Sequence, residues 1–121
     1  MALWTPLNLG NAQVWLKGNT GLIASKSAVS SWTNQITGVA NASSFGQSNA
    51  TKRPNPSSAL NGINGIQFDG GDEFLEAGDV GVLDNLGTFM MAVVIKPTLD
   101  TNARAIFSKG TAALDGSFSW R

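Results

Sequence analysis

The sequence predicts an all-β fold, an antiparallel β-sandwich with long loops. Gly or Pro interrupts the chain roughly every ten residues, which is the spacing of short strands. No stretch shows sustained helical periodicity. The longest apolar run, 87–97, is rich in β-branched residues and is bounded by Gly87 and Pro97, which favours a strand over a helix.

Taken in order, "AQVWLKG" (12–18) is a short apolar run closed by glycine. "AVSSWTNQ" (28–35) sets Val29 and Trp32 among polar residues. Residues 40–58 are poor in apolar side chains and hold Pro54 and Pro56. They read as one long loop anchored by Phe45. "NGINGIQFDG" (61–70) carries two Asn-Gly steps, then Ile66 and Phe68 at strand alternation. Asn-Gly favours turns with positive φ, so a hairpin is expected here. "VGVLDNLG" (80–87) suits a single helical turn. In "GTFMMAVVIKP" (87–97), Phe89, Met91, Val93 and Ile95 share one face, and Met90, Ala92 and Val94 the other. A strand apolar on both faces is expected in the middle of a covered sheet. "ARAIFSKG" (103–110) and "GSFSWR" (116–121) read as two further strands, joined through "TAALDG" with Asp-Gly at its end. The strand pattern is still running at Trp120 and Arg121, and sandwiches often take about 200–250 residues. Residues 1–121 are therefore expected to form a single β-sandwich domain that is the N-terminal part of a longer fold, finished by further chain or by a neighbour.

Charge and composition exclude several function classes. Eight basic and eight acidic residues give a formal net charge of zero. Nucleic-acid binding needs a surplus of Lys and Arg on one face, so no nucleic-acid partner is expected. No stretch approaches the ~18 apolar residues of a membrane helix, and the first ten residues do not read as a secretory signal. Cysteine and histidine are both absent. Thiolate metal sites and imidazole acid–base chemistry are thereby removed, and any catalysis would rest on carboxylates. Lys52-Arg53 reads as a solvated basic step. Asn41-Ala42-Ser43 and Asn49-Ala50-Thr51 are glycosylation sequons, which matter only in a eukaryotic secretory setting.

The stretch "FDGGDEFLEAGD" (68–79) holds five of the eight carboxylates. Asp69, Asp72 and Glu73 are candidate ligands of a hard cation, for which Ca²⁺ is the natural choice, or of a sugar. Calcium takes about six to eight oxygens, so loop carbonyls or further chain would have to complete the set. The competing reading is a tight turn. In it Gly70-Gly71 reverse the chain, Phe68 and Phe74 or Leu75 point inward, and Asp69 and Asp72 accept from turn N–H groups. Trp4, Trp32 and Trp120 are candidate ligand or interface residues, and Trp15 completes the tryptophan set. Exposed indoles stack on sugars, whereas buried ones build cores and interfaces; Trp4 is expected at an interface. Glu73 and Glu76, three apart, would face opposite sides of a strand and make no glycosidase pair. No catalytic residues are assigned.

In order and spacing, "WTPLNLGNAQVWLKG", "VSSWTNQITG", "RPNPSSALNGINGIQFDGGDEFLEAGD", "FMMAVVIKP" and "AIFSKG" resemble the laminin-G-like, concanavalin A-like jelly-roll family across residues 4–120. Lys17 stands where the family usually has an acid after Trp-Leu, and Ile36-Thr37-Gly38 replaces its Gly-Asn-Gly loop. The E-x-D-x-x-E strand of glycanases with this fold is missing. The resemblance implies a jelly-roll sandwich. Such folds occur in lectins, pentraxins, glycanases and many bacteriophage virion proteins, so fold alone does not give function. With no catalytic set and a neutral surface rich in Asn, Ser and Thr, the expectation is a non-catalytic virion protein, a phage capsid decoration or a tail or fibre component. Its partners would be other virion proteins or copies of itself. The alternative is an extracellular carbohydrate-binding module whose partners are glycans, with Ca²⁺ as a cofactor.

Overall fold

The computed structural model describes residues 3–25, 27–97, 105–110 and 118–120. The chain is mostly strands in antiparallel sheets with few helices, as the all-β reading expects. It divides into two compact units, Met1–Val82 and Leu83–Arg121.

In the first unit, β1 (Leu22–Ser25), β2 (Ala28–Thr33) and β3 (Ser44–Gly46) form an antiparallel sheet in chain order. β4 (Asn55–Leu60) and β5 (Ile63–Gln67) form a separate hairpin. Asn61 and Gly62 join them with φ of 52° and 77°. Two positive φ values in a two-residue loop make a type I′ turn, which matches the right-handed twist of the strands. The expected Asn-Gly hairpin is thus present. Val29 of β2 and Pro54, just before β4, are fully buried. The Val29 amide donates to the Pro54 carbonyl at 2.7 Å and ties the sheet to the hairpin. Among the described residues, Ala42 and Val80 complete the buried apolar set.

Residues 40–58 are not one long loop. They contain β3, a 3₁₀ turn at Ala50–Lys52 and the start of β4. Pro56 argues against a strand because it has no N–H to give a ladder. β4, however, pairs with β5 alone, and an edge strand tolerates proline. Residues 12–18 join no sheet. The Asn34 side chain holds them instead: its Oδ1 accepts from Trp15 N at 2.8 Å, and its Nδ2 donates to Gln13 O at 2.9 Å.

In the second unit, β6 (Phe107–Lys109) pairs antiparallel with β7 (Phe118–Trp120), with Phe107 opposite Trp120. Both lie within the strands expected from the sequence, and their connection falls outside the described residues. The 3₁₀ turn at Gly81–Leu83 is the helical turn expected in 80–87. The expected central strand at 87–97 is overturned. Residues 89–97 belong to no sheet, and Met90 and Val94 are 79% and 84% exposed. Alternating apolar faces specify burial, but a strand also needs neighbours for its ladder. Among the described residues β6 takes β7 as its ladder partner, and 89–97 joins no sheet.

Candidate functional site

The acidic stretch follows β5 directly. Asp69 Oδ1 accepts from Gly71 N at 2.6 Å, the local bond by which Asp closes a tight turn. Gly70 supplies the positive φ, 82°, that the reversal requires. Glu73 Oε2 accepts from Asp69 N at 2.6 Å, so two carboxylates satisfy backbone donors of the same turn. Asp72 departs from the expected turn geometry. Its carboxylate lies 3.6 Å from Lys52 Nζ, in an exposed pair.

The turn does not link two strands of one hairpin. β5 pairs backward with β4, and the chain after the turn runs alongside the 44–52 region instead. Phe74 N donates to Lys52 O at 3.3 Å, and Gly46 and Glu76 exchange amide bonds of 2.7 and 3.0 Å. Phe68 and Phe74 are 50% and 40% exposed, so neither is the inward anchor that a hairpin would give, whereas Leu75, the alternative, is half-buried. Lys52 Nζ lies 5.9 Å from the Phe74 ring centroid, a cation–π contact at an open site.

Among the described residues no group of three or more His, Cys, Asp or Glu is placed to hold a metal ion. Beside the turn lies a shallow, open depression lined by Ser30, Ser44, Gln47, Ser48, Arg53 and Glu76. Arg53 is half-buried, not a solvated step. Its Nε donates to Gln47 O at 2.7 Å and its Nη2 to Ser48 O at 2.9 Å, which pins the 47–53 loop. The depression therefore offers hydroxyls and the Glu76 carboxylate, a set suited to hydrogen bonding with an uncharged polar partner. No pattern in the sequence pointed to it, because its residues come from three separate segments.

The tryptophans have different surroundings. Trp4 is 66% exposed and stands next to Thr5, whose amide donates to Asn8 Oδ1 at 2.8 Å. Trp32 in β2 is half-buried, and its Nε1 donates to Lys17 O at 3.0 Å. Lys17 Nζ in turn lies 5.7 Å from the Trp15 ring centroid. The backbone of Trp120 is in β7, while its side chain lies outside the described residues. The structure thus brings Trp15 and Trp32 together through Lys17. Comparison with family models, curated proteins and solved structures returned no match.

Proposed function

We propose that this chain is a non-catalytic structural protein of a virus particle, a phage capsid decoration or a tail or fibre component, built on a laminin-G-like jelly roll. The observation that carries the reading is the run from Phe89 to Ile95. Phe89, Met90, Met91, Val93, Val94 and Ile95 are all exposed, on a segment that belongs to no sheet. An exposed apolar segment of this kind is an aggregation hazard when left alone. It becomes an asset when a neighbouring subunit supplies the ladder and covers both faces. The neutral charge balance supports the same reading, since like copies then pack without net repulsion. Light scattering on the purified chain tests it, together with binding to capsid and tail proteins. The expected result is a multimer or a docked complex. A stable monomer with no affinity for any such protein overturns the proposal.

A second reading, an extracellular carbohydrate-binding module, draws on the exposed Trp4 indole and the polar depression around Glu76. A glycan array probed with and without Ca²⁺ tests it, and silence in both conditions removes it.

A further inference from the structure

We infer that Asn61 is a site of spontaneous covalent modification, deamidation of an Asn-Gly step, and that the fold shields the second such step, Asn64-Gly65. The inference stands apart from the proposed function. The two steps have nearly the same local sequence, Leu60-Asn61-Gly62-Ile63 and Ile63-Asn64-Gly65-Ile66. Any difference in their reactivity must therefore come from structure.

The reaction has two stages. A solvent base removes the proton from the glycine peptide nitrogen, and that nitrogen attacks the Asn side-chain carbonyl carbon. A C–N bond forms, the side-chain amide nitrogen leaves as ammonia, and a five-membered succinimide results. Water then adds to either ring carbonyl, giving aspartate or isoaspartate. The only co-reactant is water. The glycine N–H must be open to solvent, and the peptide between the two residues must be free to rotate.

Asn61-Gly62 meets the first condition and is the less hindered of the two in the second. Both residues are exposed at the apex of the β4–β5 turn, and a Cβ built on Gly62 would meet nothing within 4 Å. Asn64-Gly65 meets neither. It lies inside β5, where Gly65 is buried and pairs with Ser57. The Asn64 carbonyl also packs against Gly18, where a built Cβ would fall 2.2 Å from its oxygen. Rotation of that peptide requires the hairpin to open locally, and opening lowers the reaction rate by its own equilibrium constant.

Each event at Asn61 makes a neutral side chain acidic and moves the chain off its zero formal charge. The isoaspartate product also adds a backbone atom to a two-residue turn whose length sets the strand register.

The test is peptide mapping by mass spectrometry of the folded chain, held in mildly alkaline buffer and sampled over time, beside the same chain in concentrated urea. The expected result is conversion at Asn61 several-fold faster than at Asn64 in the folded protein, with the two rates converging in urea. Gly62→Ala, which shields the attacking nitrogen, is expected to slow conversion at Asn61. If that variant fails to fold, the folded-to-urea comparison of the wild-type chain still decides. Equal rates at the two sites in the folded chain, faster conversion at Asn64, or an unchanged preference in urea overturns the inference.

Discussion

Asn34 is 4% exposed, and its carboxamide is fully used. Oδ1 accepts from Trp15 N at 2.8 Å and Ile36 N at 3.0 Å, while Nδ2 donates to Gln13 O and Ala42 O, both at 2.9 Å. One amide has two donors and two acceptor sites, so no other side chain of this size satisfies all four groups. Asn34→Asp turns the donor end into an acceptor facing two carbonyls. Leaving buried polar groups unpaired costs about 1–3 kcal/mol each, so a loss of about 3 kcal/mol or more is expected in urea unfolding. Gly18 is constrained by space. A Cβ there would sit 2.2 Å from Asn64 O, a backbone atom that cannot swing aside. Gly18→Ala is expected to cost about 1–3 kcal/mol, the usual range for overpacking, read as a fall in Tm. Neither role shows in the sequence. Asn34 is one of many Asn residues, and its partners lie up to 21 positions away.

At the scale of the element, the acidic turn is held by its own carboxylates. Glu73→Ala removes the acceptor of Asp69 N and is expected to lower stability by about 1 kcal/mol. Glu73→Gln keeps an acceptor oxygen and should cost less. Calcium is expected to leave Tm unchanged, since Asp69 and Glu73 already face backbone donors; a calcium-dependent rise in Tm would move this turn to the carbohydrate-binding reading. Elements with a local cause were legible in the sequence. Asn61-Gly62 encodes its turn through φ, Gly70 encodes the reversal, and the strand spans around β6 and β7 were expected on either side of a turn ending in Asp-Gly. Elements with a distant cause were not. β4 is polar and contains Pro56, and only its one-sided pairing with β5 admits it. The 89–95 segment has the pattern of a strand, but alternation says which faces want cover and nothing about whether a ladder partner stands beside it.

For the whole molecule, the exposed apolar run predicts association driven by burial rather than by charge. Val94→Lys, at an 84% exposed position, is expected to weaken self-association or docking. It should leave the far-ultraviolet circular dichroism unchanged, since that side chain supports no sheet. Raising the salt concentration should not weaken the association of the wild-type chain. Charge-steered complexes weaken with salt, whereas apolar contact does not depend on screening. Loss of association on adding salt would count against the 89–95 segment as the contact.

The Asn34 amide also bears on the order in which the chain acquires its form. Its partners at Gln13, Trp15 and Ala42 lie on segments far apart in sequence, and each loop must close before the bonds that reward it exist. Those bonds are expected to form on the late side of the folding barrier. A milder probe, Asn34→Ser, should therefore quicken unfolding while leaving the refolding limb of a chevron nearly in place, which is the kinetic mark of a contact absent from the transition state. The residue that fastens 12–18 to the sheet would act as the clasp that sets how long the folded state lasts, with little say in how fast it is reached.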